Sequence, residues 1–518
     1  MRIGIDVGGT NTDAALMDGA AVLGACKSPT TGDVGSGIVA VLRQVLAMTG
    51  VSVSQIRAVM IGTTHFTNAV VERKRLLEVA AVRLGLPATR ALPPFTDWPA
   101  DLAATLGRHS FMLRGGNEFD GRRIAPLDEA GLVAAAREIR VRGIRSAAVT
   151  SVFSPVTPEM ELRAAEILAN EVPGLSISLS HEIGRVGFLE RENASIMNAS
   201  LAELSAKVVN SFRAALRELA IEAPFFISQN DGTLMTPDYV ERYPVLTFAS
   251  GPTNSMRGAA MLAGEKEAMV VDIGGTTSDV GMLMQGFPRE SAVAVDIGGV
   301  RTNFRMPDVL AIGLGGGSAV RDEGRRIGPD SVGYEITSKA LVFGGDTLTT
   351  TDIVVAAGLQ DIGDRSRVAH VPAKTIDNAL DTIHRMVDEA VDRMKTSADP
   401  LPVILVGGGS ILVSRDLPSA SRVIRPDNAA VANAIGAAIA QVGGEVDRIF
   451  SLEGTSREAV LAGASAEASE RAVRAGAEAG SVKIMDIEEV PLAYLPGSAT
   501  RIRVKAVGDL VLREEALA

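Results

Sequence analysis

Two eight-residue segments, one at the start of the chain and one just past its midpoint, are near copies: Asp6-Val7-Gly8-Gly9-Thr10-Asn11-Thr12-Asp13 and Asp272-Ile273-Gly274-Gly275-Thr276-Thr277-Ser278-Asp279. Each follows a short apolar strand. Two adjacent glycines open backbone dihedrals closed to other residues and let amide N–H groups approach an anion with no Cβ in the way. One such turn is an ordinary hairpin, because Gly and Asp are common turn residues. Two of them in separate halves of a 518-residue chain point to duplicated lobes that hold phosphate between them.

The candidate phosphate-binding residues are therefore Gly8, Gly9, Thr10, Asn11 and Asp13 in the first lobe and Gly274, Gly275, Thr276, Thr277 and Asp279 in the second. Asp6 and Asp272 end their strands, where a carboxylate is suited to hold Mg²⁺, directly or through water, while the metal bridges phosphate oxygens. A third look-alike, Asp296-Ile297-Gly298-Gly299-Val300-Arg301-Thr302-Asn303, lacks the Thr after the glycines and the closing Asp, and reads as a hairpin turn. Two further glycine clusters follow: Gly313-Leu314-Gly315-Gly316-Gly317-Ser318, and Gly407-Gly408-Gly409 after the apolar strand Val403 to Val406. Glycines at a strand end let another body come close to the backbone. Gly315, Gly316, Gly317 and Ser318 join the nucleotide-binding candidates, and Gly407, Gly408 and Gly409 are a natural seat for the adenosine end, against the alternative of tight helix-on-strand packing. No Gly-x-x-x-x-Gly-Lys-Ser/Thr and no Gly-x-Ser-x-Gly occurs, so neither a P-loop nor a nucleophile elbow is supported.

A chain of 518 residues exceeds what one core usually serves, so two large lobes are expected. The hydrophobic fraction is 46% and the aromatic fraction 4%, so burial must come from Ala, Val, Ile and Leu, which suits sheets covered by helices. An α/β class follows. Net charge is −11, with no basic run interleaved with aromatics, so nucleic acid is not the expected partner. Cys26 is the single cysteine, which excludes an internal disulfide, a multi-cysteine zinc site and an iron–sulfur cluster from this chain's own ligands. The N-terminus reaches Asp6 before any apolar run of signal-peptide length, and no 18-residue apolar stretch follows. A cytoplasmic location with no membrane span is the expectation.

Along the chain, the opening reads as a hairpin with an Asp18-Gly19 turn and a third strand around Ala21 to Ala25. Ile38, Val41, Leu42, Val45 and Leu46 recur at helical spacing over 36–49, and Val59 to Gly62 is a further strand. Strands at Ala147 to Val152 and Ser176 to Leu179 flank a helix that begins after Pro158, with Leu162, Ala165 and Leu168 expected on its inner side. The Pro-rich run from Leu92 to Pro99 reads as an exposed excursion. One long helix is expected from Glu190 to about Leu219, then a strand at Phe225 to Ser228 and a final helix over 429–440. The expected divisions are a first lobe at 1–180, a second at 181–445 and a small domain at 446–518, in which the stretch 465–479 is a helix with a solvated face.

The paired Asp-x-Gly-Gly-Thr turns and the late Gly-Gly-Gly after a strand resemble the actin, Hsp70 and sugar-kinase superfamily, built from two ribonuclease H-like lobes around a nucleotide cleft. Within it, Gly4 to Asp13, Gly62-Thr63-Thr64-His65-Phe66-Thr67-Asn68-Ala69, Ser250-Gly251-Pro252, Val271 to Val280, Ile312 to Ser318 and Leu405 to Gly409 are similar to the ATP-binding A subunit of the hydantoinase/oxoprolinase family. Glu489 to Gly497 and Ala506 to Leu510 resemble a compact subgroup of it. The resemblance implies two ribonuclease H-like lobes with a small C-terminal α+β domain, and ATP with Mg²⁺ as cofactors. It further implies ATP-dependent activation of the carbonyl oxygen of a cyclic amide such as a hydantoin, 5-oxoproline or related lactam, completed by a separate B-type subunit. Many relatives carry Asp-x-His-Thr before the third glycine cluster, whereas this chain has Asp308-Val309-Leu310-Ala311, so no metal or substrate role for that His carries over.

On the substrate side, His65 sits at a strand end where a side chain can face the cleft, and as a general base it would titrate near neutrality. A hydrogen-bonded structural His is the competing reading. His181-Glu182 and Glu190-Arg191 are placed to line a polar cleft, with Arg191 pairing a carboxylate or phosphate, or else to form a solvated helix start. The candidate catalytic set is thus Asp6, Asp272, His65 and Arg191. Two other functions suit the same lobes: a small-molecule kinase, and a non-enzymatic ATP-gated regulator, which changes partner affinity and consumes no small substrate. A homo-oligomer is compatible with all three.

Overall fold

The structure is a computed structural model that describes every residue except 10, 31–33, 292–293, 304, 493–498 and 513–518. The chain opens with β1 (Arg2–Val7), β2 (Asn11–Asp18) and β3 (Ala21–Pro29), an antiparallel meander whose tight Asp18-Gly19 turn is met by a left-handed Gly19 at φ 56°. The helix Val34–Thr49 then lays Ile38, Val41, Leu42 and Val45 on the sheet, all fully buried, and leads into β4 (Ala58–Thr63), which runs parallel to β1.

Next comes a wholly parallel sheet of β5 (Val79–Leu86), β6 (His109–Arg114), β7 (Ser146–Ser151) and β8 (Ser176–Leu179), in the order β6-β5-β7-β8. The helix Glu159–Glu171 covers it, with Leu168 buried and Ala165 packed on the core as expected, but with Leu162 turned out. Leu162 is 45% exposed, while Met160, Ala164, Ile167 and Leu168 are buried. The rotation has a polar cause: Glu161 points inward and accepts hydrogen bonds from Ser151 N at 2.7 Å and from His181 N at 3.1 Å and Nδ1 at 2.7 Å. The Pro-rich excursion is also less exposed than expected. Trp98 is buried and donates Nε1–H to Asn193 Oδ1 at 2.8 Å.

The long helix expected from Glu190 is two, Phe188–Ser200 and Ala202–Glu218. They break where the Ser200 carbonyl leaves the helical ladder to accept from Leu77 N at 2.9 Å. Then β9 (Phe225–Ser228), parallel to β4, and β10 (Leu234–Met235) complete the first sheet in the order β10-β9-β4-β1-β2-β3. Residue 180 therefore marks the end of the parallel sheet, and the first lobe's own sheet closes only at Met235.

The second lobe repeats the plan. β11 (Ala268–Ile273) and β12 (Ser278–Met284) form the hairpin, extended by β13 (Phe287–Pro288). The third look-alike is the hairpin of β14 (Val295–Ile297) and β15 (Val300–Thr302), turned by Gly298 and Gly299 at φ 60° and 89°. β16 (Val309–Ile312) pairs with β12, and β17 (Ser318–Arg321) with β18 (Arg326–Ser331) make a small separate hairpin. β19 (Leu401–Val406) runs parallel to β11 and β20 (Ala420–Ile424) parallel to β19, giving the order β13-β12-β11-β19-β20. Both lobes thus have a central strand paired antiparallel to its hairpin mate and parallel to a later strand, the ribonuclease H-like arrangement.

Two helices cross between the lobes, Ser250–Ala263 and Ala432–Ala438. Glycines make the crossing possible: a Cβ on Gly436 would overlap the Asn254 carbonyl, one on Gly258 the Ala432 carbonyl, and one on Gly4 the Ala434 carbonyl. Finally β21 (Val442–Phe450), β22 (Lys483–Pro491) and β23 (Thr500–Gly508) form an antiparallel sheet in the order β21-β23-β22. The helix Arg457–Arg474 packs on it through Ala464, Ala468 and Ala472. Among the described residues no helix is long and apolar enough to cross a membrane.

Candidate active site

The two glycine turns are closed by the same hydrogen bond. Gly8 N donates to Asn11 O at 3.0 Å, and Gly274 N donates to Thr277 O at 2.9 Å. These bonds close each hairpin and leave Gly9 and Gly275 at the exposed tips, where neither amide has an acceptor among the described residues. Thr276 and Thr277 are exposed beside Gly275, while Thr10 lies outside the described residues. In each hairpin the two Asp residues face one another across the ladder, Asp6 opposite Asp13 and Asp272 opposite Asp279.

The parallel neighbour of each leading Asp explains a glycine on either side of the cleft. A Cβ on Gly62, at the end of β4, would stand 2.5 Å from Asp6 Oδ1, and one on Gly407, just past β19, would overlap Asp272 Oδ1. Gly407 also sits at φ 82°, a conformation that glycine adopts without strain. The carboxylates therefore lie over bare backbone. Gly409 abuts Ile273 and donates its N–H to Ile273 O at 2.8 Å, whereas Gly408 is exposed and has no atom within 4 Å of where a Cβ would be. The cluster 407–409 thus combines two packing glycines with one open one.

Gly315, Gly316, Gly317 and Ser318 are all buried behind the second turn. Gly316 N donates to Gly274 O at 3.0 Å and Gly317 N to Gly275 O at 2.7 Å, while Gly315 N donates to Ser318 Oγ at 2.8 Å. With those amides committed, the segment braces the turn and has none of these N–H groups left for a phosphate. Thr350 and Thr351, at the start of the helix Thr350–Ala356, cap the other side by donating hydroxyls to Gly315 and Gly316 carbonyls. Nothing in the spacing of those threonines, 35 positions from the glycines, signals this.

Asp6 is 5% exposed, and its pKa is pushed up to about 7 by burial and then by the charges of Asp13 and Asp272, against a hydrogen bond from Asn433 Nδ2 to Oδ2 at 3.2 Å. Asp279 is likewise raised to about 7 by burial and by Asp272. Burial also raises Asp272, and it raises Asp13 against the attraction of Lys27, whose Nζ lies 3.1 Å from Asp13 Oδ2. Asp272 acting on Asp6 and on Asp13 brings the two turns, distant in sequence, into one electrostatic site. Asp6 Oδ1, Asp13 Oδ1 and both amide atoms of Asn254 are buried with no hydrogen-bond partner among the described residues. Buried orphan atoms of this kind mark a place shaped for something more than protein. Among the described residues no three His, Cys, Asp or Glu converge as a self-sufficient metal site. The donor set fits a hydrated divalent ion that takes its remaining oxygens from a polyphosphate.

Two candidates take other roles. His65 begins the helix His65–Glu72 beside the first turn, but burial, and then the charge of Arg75, lower its pKa to about 4. It is a neutral imidazole at pH 7 and too weak a base for the role its position suggested. Arg191 is 0% exposed, so it does not form a solvated helix start. Its guanidinium donates to the carbonyls of Ser151, Arg185 and Val186 and to Ser180 Oγ, so its donors are used in stitching β7 to the segment 180–187. Beneath it Glu161, which burial alone would raise, is held below the usual carboxylate range by His181 and Arg191.

The comparisons with known proteins fit this geometry. The model of the hydantoinase/oxoprolinase N-terminal region matches residues 2–172, and the hydantoinase/oxoprolinase model matches 191–362. The chain is 27% identical over 386 residues to the caprolactamase subunit alpha of Pseudomonas jessenii, covering 69% of this chain and 54% of that one. It is 26% identical over 393 residues to the acetone carboxylase beta subunit of Xanthobacter autotrophicus, with the same two coverages of 69% and 54%. The chain thus spans about half the length of these relatives. Among solved structures, the ATP-dependent caprolactamase of Pseudomonas jessenii superposes with a TM-score of 0.81 at 19% identity, over 99% of this chain and 88% of that one. Nucleotide-free acetone carboxylase superposes at 0.67 and 19%, over 98% and 88%. With both family models falling in order across the two lobes and the fold shared with two of its solved relatives, this chain belongs to the hydantoinase/oxoprolinase family.

Proposed function

We propose that this chain is the ATP-binding subunit of an enzyme that activates the carbonyl oxygen of a cyclic amide by phosphorylation and acts with a separate B-type partner. The observation that carries the reading is the pair of hairpins closed by the same hydrogen bond, each with an open glycine amide and two opposed Asp residues, buried in the first lobe and half-buried in the second, with Asp272 acting on Asp6 across the lobes. The names of the relatives add amide and carbonyl substrates, ATP dependence and subunit composition.

An amide carbonyl is a poor electrophile. Attack of its oxygen on the γ-phosphorus of ATP, with departure of ADP, converts that oxygen into a leaving group, so that addition of water to the carbon can expel phosphate. Catalysis of such a transfer is positioning and charge neutralisation. Gly9 and Gly275 N–H groups and the hydroxyls of Thr276 and Thr277 are the donors for phosphate oxygens, and Gly408 leaves room at the adenosine side. Mg²⁺, when bound, would supply charge neutralisation, with Asp6 and Asp272 as its protein ligands and Asn433 holding the Asp6 carboxylate in place.

The test is phosphate release from Mg²⁺-ATP with and without hydantoins, 5-oxoproline and other lactams, alone and with any co-purifying partner. Lactam-stimulated release is the expected result. Tight nucleotide binding that no lactam or partner accelerates would replace this reading with that of a kinase for another substrate.

A further inference from the structure

The hydrogen bonds around His65 fix which nitrogen carries its proton. His65 N donates to Thr63 Oγ1 at 3.3 Å, so that oxygen already acts as an acceptor. The same Oγ1 lies 2.7 Å from His65 Nδ1. Thr63 is 1% exposed, and its hydroxyl proton has no other acceptor among the described residues. Were Nδ1 protonated, in the other neutral tautomer or in the imidazolium, the Thr63 hydroxyl would be left buried without an acceptor. The hydroxyl therefore donates to Nδ1, and the imidazole carries its hydrogen on Nε2. Burial, and then the charge of Arg75, keep the ring neutral at pH 7.

Nε2 itself makes no hydrogen bond to the described protein, and the half-buried ring stands on the scaffold of the first phosphate turn. The adjoining Thr64 gives both its N–H, at 3.3 Å, and its hydroxyl, at 3.4 Å, to the Val7 carbonyl at the base of the turn. Asn68, one helical turn on, donates to Thr64 Oγ1, and its Nδ2 lies 3.9 Å from where a Cβ on Gly9 would stand. Resting on the ATP-binding reading given above, we propose that His65 is a fixed hydrogen-bond donor, locked by Thr63, whose Nε2–H serves an oxygen of the terminal phosphoryl group seated at the first glycine turn. A neutral donor suits this place: it stabilises charge that develops on the phosphoryl oxygens and takes no proton from them.

Protein labelled with ¹⁵N-histidine has five imidazoles to resolve, and loss of one signal set in His65→Gln assigns His65. The expected spectrum is a neutral Nε2–H tautomer unchanged between pH 5.5 and 8. A neutral Nδ1–H tautomer, or a titration near 6.5, overturns the proposal. Thr63→Val keeps the shape and removes the lock, so His65 should then populate both neutral tautomers. An unchanged spectrum in that variant overturns the part given to Thr63. Binding of Mg²⁺ with ATP whose β,γ-bridge is an imide, compared with Mg²⁺-ADP, reads the donor without any substrate. His65→Leu should weaken the triphosphate analogue about tenfold and ADP little, and His65→Gln, which keeps an N–H donor, should restore most of the loss. Equal affinity of His65→Leu and the unmodified protein for the analogue removes this proposal alone. Absence of nucleotide binding by the unmodified protein removes it together with the ATP-binding reading, while failure of every lactam to stimulate phosphate release touches only the substrate class.

Discussion

Asp6 shows how one carboxylate couples stability, pH and ligand. Its pKa of about 7 in the folded protein lies above the ordinary 3.8 because burial, Asp13 and Asp272 all oppose the charge. A group raised in the native state binds its proton more tightly there than in the unfolded chain, so its contribution is complete below pH 3.8 and is lost as pH rises through 7. Asp6→Asn keeps the shape but cannot ionise. It should stabilise the nucleotide-free protein at pH 8 by about 1–3 kcal/mol and by about half as much at pH 5.5, midway through that window, while Mg²⁺-dependent ATP turnover disappears. Thermal melts at the two pH values, with phosphate release alongside, check this; an unaltered melting temperature at pH 8 would mean that the carboxylate is not strained by its neighbours. The glycines give a second contrast. Gly407→Ala should weaken nucleotide binding by at least tenfold, because its Cβ overlaps Asp272 Oδ1, whereas Gly408→Ala has open space around it and should fold and melt as the parent does. Isothermal titration with Mg²⁺-ADP separates the two.

At the scale of elements, the turns were legible because their chemistry is local: dihedral demands and paired Asp residues are written in eight consecutive letters. The bracing role of Gly315–Ser318, the part of Asn254 and Asn433 beside Asp6, and the internal use of Arg191 were not, because each depends on what a distant segment brings to that place. Gly62 was within reach, since it stands at a strand end just as Gly407 does, and aligning the two strand ends would have shown it. The position of His65 is legible in the sequence, and so is a Thr63 partner only two residues away, but the burial that lowers its pKa is a tertiary fact. The helix Glu159–Glu171 fails in the same way: periodicity counted Leu162 inward, and the inward pull on Glu161 turned it outward. Leu162→Lys should therefore stay within about 0.5 kcal/mol of the parent, while Ile167→Ala, on the buried face, should cost about 2–4 kcal/mol in urea unfolding. Similar costs for the two would restore the face that periodicity chose.

Across the whole molecule, the C-terminal sheet is tied to both lobes by buried ions. Lys505 Nζ lies 3.0 Å from Asp231 Oδ2 in the first lobe and 3.1 Å from Glu290 Oε1 in the second, and Arg503 Nη2 donates to Glu290 Oε2 at 2.5 Å. Burial alone would raise Glu290, but Lys505, Arg305 and Arg503 hold it well below the usual carboxylate range. A depressed carboxylate adds stability above its unfolded value of 4.5 that is lost as pH falls below it. Acidification should thus loosen the C-terminal sheet first, seen as hydrogen exchange rising in β21 and β23 below pH 4.5 ahead of β1 and β11. Glu290→Ala, which leaves Lys505 and Arg503 buried with one partner fewer, should cost about 3–5 kcal/mol and bring the same loosening to neutral pH. Exchange that rises uniformly across the chain would show that the ions do not join the sheet to the lobes.

The strand order of the first sheet also bears on how the chain is made. β4 is complete once residue 63 has left the ribosome, but its partner β9 begins at Phe225, with the whole parallel sheet between them. At roughly 5–20 residues per second, one flank of β4 waits about 10–30 s for its mate. During that interval an apolar strand, buried on every residue in the finished protein, has an open edge. A pause placed between codons 63 and 225 should lower the yield of soluble protein and raise its dependence on chaperones, whereas the same pause placed only once Met235 has left the ribosome and the sheet is closed should do neither.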